Sequence, residues 1–408
     1  MRLGGIEPSF SVPKTDTLSV ELQAPFDYAQ GKLYNYTLDV NNRESECQAM
    51  LTIDEQIEEI EAVLRKTPHH KATNGFIGAM RAKIARLKDK EIESTTKKGG
   101  GGGGGFTVKK QGDATVVLIG PPSAGKSTLI NCLTNAESKV APYAFTTVTV
   151  VPGMLKYKDA YIQILDIPGL IEGAKEGKGR GKEVLSVAKS ADLLLIMTDV
   201  KRVPAFANMV AELTGAGIRI NQDPPKVLIE KKTSGGLEVF SNFQQSIDKD
   251  TIKEIAREFG IKNGNITLQE KITLNRLFDA FSLNRAYIPA IFVINKVDTE
   301  PNYKDMIDGT YVGISADKMD GIDSLIDEIW KTLKFVTVHL VKPDENLNRA
   351  DPMVTTESST LRDIAYRIGP DFAESKKLVK IWGTGAKFPG QEVSFDTKVL
   401  EGMKIRFI

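Results

Sequence analysis

The chain has 408 residues, with 54 Lys and Arg against 53 Asp and Glu and a net charge of +1. That length exceeds what one core usually fills, so two or three domains are expected, and the balanced charge excludes a global field drawing the whole molecule to nucleic acid or membrane. Its two cysteines, Cys47 and Cys132, lack metal-ligand spacing and exclude a disulfide framework. The opening MRLGGIEPSF has no signal-peptide run and ADLLLIM is too short to span a bilayer, so a soluble, cytoplasmic protein without a membrane partner is expected.

Residues 1–49 carry Pro8, Pro13 and Pro25 with no sustained hydrophobic period, and read as a flexible extension. Met50 stands just before a Thr-x-x-Glu capping pair, Thr52 and Glu55, which fits a natural start at Met50 and a non-native leader before it. Residues 50–98 read as a helical hairpin. Ile53, Ile57, Ile60 and Leu64 repeat at helical spacing, as do Ile77, Met80, Ile84 and Leu87 beyond a TPHHKATNG break. The first helix is acidic and the second basic, at Arg81, Lys83, Arg86, Lys88 and Lys90. Mutual pairing with solvated outer faces explains that split; a basic surface for RNA phosphates is the alternative. His69 and His70 read as loop residues. The linker 99–112 opens with an unbroken glycine run, residues 99–105, a tether that leads us to expect independent movement of the hairpin.

Residues 113–334 carry the chemistry. In VVLIGPPSAGKST an apolar strand leads into a loop framed by Gly120 and Gly125, through Pro121, Pro122, Ser123 and Ala124; Lys126, Ser127 and Thr128 then open a helix. Such a loop wraps its backbone N–H groups around a polyphosphate, with Lys126 reaching the β- and γ-phosphates and Ser127 ligating Mg²⁺. A second buried strand, YIQILDIPG, delivers Asp166 to the metal through water and the Gly169 N–H to the γ-phosphate. Thr146 and Thr147 lie where a switch segment would cover that phosphate, Thr147 being the third metal ligand. Lys126, Thr147 and Gly169 form the expected catalytic set. The base is chosen by Asn295, Lys296 and Asp298 after the strand YIPAIFVI: the Asp298 carboxylate can accept from both guanine N1–H and its 2-amino group, a donor pair that adenine lacks. An ATPase is thereby disfavoured. Lys296 lies along the base, and the backbone of Ser315, Ala316 and Asp317 meets the guanine oxygen.

Strands alternating with helices predict a parallel, doubly wound α/β sheet with ligand at its carboxyl edge. Residues 220–285 read as an inserted subdomain, with a β-hairpin turning at Gly235 and Gly236 followed by the helical segments DTIKEIAREFG and LQEKITLNRLFDAF. One amphipathic helix over 321–333 closes the nucleotide domain. Residues 335–408 read as a small mixed α+β domain: VTVHLV, a capped helix over 360–368, LVKIWG and a terminal MKIRFI. Met403, Ile405 and Phe407 share one strand face, and Trp382 is expected in the core.

Taken together, GPPSAGKS, YAFTT, DIPGLIEGA and NKVD resemble the Obg-related GTPases, specifically the developmentally regulated GTP-binding (DRG) family. KKGGGGGGGFTVKKQGDA, GIRINQDPPKV and LVKIWGTGAKFPGQEVSFDTKVLEGMKI extend the likeness over residues 50–408. The resemblance implies a P-loop GTPase sheet, a helix-turn-helix start, an S5D2-like insertion and a C-terminal TGS domain of β-grasp form. It also implies GTP, GDP and Mg²⁺ as ligands, with ribosomes, RNA, translation factors or a stabilising partner protein as partners. Leu170 stands where Ras-like enzymes place a water-orienting glutamine, so hydrolysis is expected to be slow. Ser123 replaces the asparagine that supports K⁺ in related enzymes; modest K⁺ stimulation is still expected. Lys178 or Arg180 could add charge near the phosphates, against the alternative of a solvated loop. A slow GTP-hydrolysing switch is the leading reading, and a ribosome- or RNA-binding adaptor with a structural nucleotide is the alternative.

Overall fold

The computed structural model describes residues 52–68, 73–97, 111–134, 151–167, 180–300, 302–306, 309–342 and 350–408. The chain divides into two compact units, Met1–Pro68 and His69–Ile408. In the first, helix α1 (Ile53–Lys66) starts at a closed capping box: the Thr52 hydroxyl accepts from the Glu55 N–H at 3.3 Å, and the Glu55 carboxylate accepts from the Thr52 N–H at 2.7 Å. Two otherwise orphaned donors are satisfied.

The second unit begins with α2 (Asn74–Lys97) and continues through β1 (Ala114–Ile119), α3 (Lys126–Leu133), β2 (Val151–Tyr157), β3 (Ala160–Asp166), α4 (Arg180–Lys189), β4 (Leu193–Asp199), α5 (Ala205–Gly215) and β5 (Ile218–Ile220). After β5 come β6 (Val227–Lys231), β7 (Leu237–Ser241), α6 (Lys249–Glu258), β8 (Gly264–Leu268) and α7 (Leu274–Phe281). The chain then returns through β9 (Ala286–Ile288), β10 (Ala290–Asn295), β11 (Val312–Gly313) and α8 (Ile322–Thr332).

A six-stranded sheet in the order β11-β10-β4-β1-β3-β2 forms the centre. Its strands are parallel except β2, which pairs antiparallel with β3 and so departs from the all-parallel expectation. Alternation along the strands buries both faces: Val116, Leu118, Leu193, Leu195 and Met197 join one core, and Val117, Ile119, Leu194 and Ile196 the other. From β1 the chain builds outward first through β3 and then through β4. That reversal opens a crevice at the carboxyl ends of the central strands, where ligands of such sheets bind.

The segment between β5 and β9 differs from the sequence reading. β6 and β7 do not pair as a hairpin; both pair with β8, which lies between them, antiparallel to β6 and parallel to β7. Gly235 and Gly236 still turn the chain, with φ of 100° and 76°, but the turn is wide enough to admit a third strand. The short apolar alternation of Gly264–Leu268 gave no sign of that strand, and it shortens the second expected helix to α7.

Helix α2 packs on this subdomain. Ala82 is fully buried in a core with Ile252, Ile255, Leu277 and Phe281. The face touching α6 is not only the expected apolar stripe: Gly75, Gly78 and Ala82 lie one turn apart and bring the helices close, a Cβ on Gly78 falling 2.9 Å from Thr251 Cγ2. A buried ion network fastens the contact. Asp89 binds Arg285 at 2.6 Å and accepts from the Ser282 hydroxyl at 2.5 Å, while Asp279 holds Arg285 at 2.6 Å and Arg219 through two bonds of 2.6 and 2.7 Å. The expected independence therefore does not extend to α2; the glycine run, His69 and His70 lie outside the described residues.

Residues 335–408 form a second sheet, β13-β12-β16-β14-β15, from β12 (Phe335–Leu340), β13 (Asp351–Thr356), β14 (Val379–Trp382), β15 (Gln391–Val393) and β16 (Lys404–Phe407), with α9 (Leu361–Ile368) packed on one face. The last strand sits centrally, parallel to β12 and antiparallel to β14, with Met403, Ile405 and Phe407 buried. Trp382 is not in that core. Val379 and Ile381 point into it, so alternation turns Trp382 to the opposite face, partly exposed beneath the Arg406 guanidinium at 5.4 Å. On that opposite face Phe335 and Val354 join the nucleotide domain's core, where Trp330 meets Phe335 with ring centroids 5.3 Å apart. Arg367 ties α9 to the Val354 carbonyl at 2.7 Å and to the Asp113 carboxylate.

Candidate guanine nucleotide site

At the end of β1 the loop can turn only because its glycines lack side chains. A Cβ on Gly120 would fall 2.4 Å from the Met197 carbonyl of β4, and one on Gly125 would fall 2.2 Å from Asn295 Nδ2. Gly125, at φ 94°, caps α3 without a side-chain hydrogen bond. The first-turn N–H groups of α3 thus face the crevice without a capping side chain, as a phosphate requires. Pro121 and Ala124 are buried beneath the loop, and Pro122, Ser123, Ser127 and the partly exposed Thr128 lie towards solvent. The Lys126 ammonium donates to the Gly120 and Pro121 carbonyls at 3.0 and 3.2 Å, curled over the loop it would leave to meet a polyphosphate.

Ser127 and Asp166 meet as the motifs required: the hydroxyl donates to Asp166 Oδ2 at 3.2 Å. Burial pushes the Asp166 carboxyl above its ordinary pKa, with the Lys126 charge and the Ser127 hydrogen bond opposing. Its other oxygen, Oδ1, is buried and has no hydrogen-bond partner among the described residues. A hydroxyl beside a half-satisfied buried carboxylate is an oxygen donor set suited to Mg²⁺. Thr146, Thr147, Gly169, Leu170 and Lys178 lie outside the described residues, and Arg180 is described only as the first residue of α4.

Asn295 is the hinge of the site. Fully surrounded at the end of β10, it donates from Nδ2 to the Ala124 carbonyl at 2.8 Å and accepts at Oδ1 from the Ala316 N–H at 3.0 Å. One amide thus joins the phosphate loop to the segment expected beside the base. Lys296, in the left-handed conformation at φ 63°, donates to the Ser123 carbonyl at 2.9 Å. Asp298 is exposed, 3.0 Å from Lys318, and is held below the usual carboxylate range by the Ser315 hydroxyl and then by Lys318. The backbone expectation needs refinement: the Ser315 N–H donates to the Asp320 carbonyl at 3.0 Å and the Ala316 N–H to Asn295, so two of the trio's donors, Asp317 being the third, already have protein partners.

Two residues escaped the sequence reading. Cys132 donates from Sγ to the Ala316 carbonyl at 3.1 Å, fastening α3 to the base segment. Asp199, the last residue of β4, stands in register with Asn295; burial pushes its carboxyl up, but two hydrogen bonds from Arg202 and the nearby Lys296 charge outweigh that and leave it lowered. A polar residue ending the apolar run ADLLLIM was the available signal.

A glycine loop, a carboxylate facing its serine and an asparagine joining that loop to the Ser315–Asp317 segment make up a candidate guanine nucleotide site. Comparison agrees: residues 115–232 match a family described as 50S ribosome-binding GTPase, and residues 234–335 match the C-terminal region of that domain. A developmentally-regulated GTP-binding protein 1 of Xenopus laevis is 40% identical over 349 residues, covering 84% of this chain and 95% of that protein. The chain belongs to the DRG family. A DRG protein of Arabidopsis thaliana is 39% identical over 84% of this chain and 95% of its own length. A GTP-binding protein of Methanocaldococcus jannaschii is 41% identical over 86% and 92%. This DRG chain is a GTP-binding protein with a P-loop GTPase fold, and no helix among its described residues is long and apolar enough to cross a membrane.

Proposed function

We propose that this DRG protein hydrolyses GTP slowly and acts as a cytoplasmic molecular switch on ribosomes or a translation factor. The observation that carries the reading is the Asn295 amide, which makes phosphate loop and base segment one mechanical unit. GTP would lie with its phosphates on residues 120–128 and its guanine against Asp298. Ser127 and Asp166, with Thr147, would hold Mg²⁺, whose charge offsets that of the phosphates. Lys126 exchanges its two carbonyl partners for phosphate oxygens, and the Gly169 N–H holds the terminal phosphate, so that the segments bearing Thr147 and Gly169 respond to its loss. Leu170 supplies no hydrogen bond to water, which makes turnover slow. In this reading residues 50–98 serve as the family's helical hairpin, residues 220–285 as its S5D2-like insertion and residues 335–408 as its TGS domain. The matching family's description as ribosome-binding supports the partner.

Single-turnover GTP hydrolysis in matched K⁺ and Na⁺ buffers, with ribosome co-sedimentation in GTP, GDP and a non-hydrolysable analogue, tests it. Slow Mg²⁺-dependent turnover with modest K⁺ stimulation and nucleotide-dependent sedimentation is expected. Sedimentation indifferent to nucleotide would instead favour the adaptor role.

A further inference from the structure

We infer that Asp199 is the positioning residue for Lys296, its carboxylate taking the lysine ammonium when guanine packs along the lysine stem. The inference rests on the placement of the base proposed above. Asp199 ends β4, the strand that lies between β1, which feeds the phosphate loop, and β10, which feeds the guanine motif. It stands in parallel register with Asn295, the residue before Lys296. Two residues earlier, the Met197 carbonyl lies so near the loop that a Cβ on Gly120 would fall 2.4 Å from it.

The Asp199 side chain is buried, and its two oxygens differ. Oδ2 accepts from Arg202 Nε and Nη2 at 2.9 and 2.6 Å, whereas Oδ1 is buried and has no hydrogen-bond partner among the described residues. Burial pushes the carboxyl up, but the Arg202 hydrogen bonds and the charges of Arg202 and Lys296 outweigh it and leave it lowered. A carboxylate with one open acceptor therefore stands beside the lysine at neutral pH. Lys296 has donors to spare: its ammonium carries three, and one is used, on the Ser123 carbonyl at 2.9 Å. A stem laid along a purine must also hold one set of rotamers, which costs lysine more freedom than most side chains. The Ser123 carbonyl is a neutral anchor, and a polyphosphate close by draws the ammonium off the base. A carboxylate holds the ammonium with a charge-assisted bond, about twice as strong as a neutral one. The same bond satisfies an acceptor that is otherwise buried without a donor. If Asp199 served only to close the turn after β4, it would matter through Arg202 alone.

A double-mutant cycle read by fluorescent GDP titration of the full chain separates these roles. Asp199→Asn should weaken GDP binding about tenfold or more, the worth of a hydrogen bond to a charged group. On a Lys296→Met background the same substitution should cost nothing further. Arg202→Met, which touches the other oxygen, should keep GDP affinity within about twofold of wild type. Circular dichroism melting reports folding of each variant. Should Asp199→Asn not fold, Asp199→Glu takes its place in the cycle, with a severalfold loss expected beside Lys296 and none beside Lys296→Met. Wild-type affinity in Asp199→Asn, an equal loss in Arg202→Met, or a loss that persists in full without Lys296 overturns the inference. Wild-type affinity in Lys296→Met would sink the placement of guanine along Lys296 and this inference with it. A weakened Lys296→Met beside an unaffected Asp199→Asn would sink the inference alone.

Discussion

Replacing Asn295 with alanine deletes an amide that is 3% exposed and serves two backbone groups, the Ala124 carbonyl and the Ala316 N–H. Neither is reached by water once the side chain is truncated and the site stays closed. A buried polar group left without a partner costs about 1–3 kcal/mol, so the pair costs roughly 2–6 kcal/mol in the nucleotide domain. Part of that falls on stability and part on the position of the phosphate loop. If about half falls on the loop, GDP affinity drops roughly 5- to 140-fold, at about 1.4 kcal/mol per decade. Asn295→Asp sharpens the argument: its carboxylate still accepts from Ala316 but turns a lone pair on the Ala124 carbonyl, so the loop should suffer while the base segment keeps its bond. The assays are fluorescent GDP titration and melting followed by near-ultraviolet circular dichroism, because a chain of several domains does not unfold in one step. Wild-type GDP affinity in Asn295→Asp would refute the bridge as the element that couples loop to base.

Asp298→Asn should shift preference from guanine to xanthine nucleotides, read as the ratio of fluorescent GDP to XDP affinity; an unchanged ratio would count against Asp298 as the base reader. Asp166 has a raised carboxyl pKa through burial, so the ionised form at neutral pH costs folding energy, a cost that fades as pH falls through the raised value. Asp166→Asn should therefore raise the melting temperature of nucleotide-free protein at pH 7 but not in acid, while abolishing the Mg²⁺ dependence of GTP binding. Asp89→Ala leaves Arg285, 9% exposed, with Asp279 as its remaining carboxylate, and should destabilise the docking of α2 by about 1.5–3 kcal/mol, seen as faster amide exchange in α2 and α6. Gly78→Leu forces a side chain against Thr251 and should cost about 1–3 kcal/mol by the same readout; protection equal to wild type would contradict the close helix approach.

What the chain alone determined is local. The phosphate loop, the Asp166 strand end and the Asn295 motif were legible because each is a short run whose chemistry is set by residue type and spacing: glycine where the backbone must approach a neighbour, an oxygen ligand after a buried strand. The capped helices at Thr52 and Thr360 were legible for the same reason, each box closing within one turn. The tertiary structure decided what depends on partners distant in sequence. Alternation in β6 and β7 cannot reveal that β8 will come between them, since pairing is a choice among edges. Trp382 looks like core from the size of its apolar ring, and only register with Val379 and Ile381 turns it outward. Gly75, Gly78 and Ala82 carry no apolar signal, yet their smallness lets α2 seat on α6. Likewise the Asn295 amide was legible as a base motif but not as a bridge, because its two partners lie 171 and 21 residues away and meet only when the sheet brings three loops to one edge.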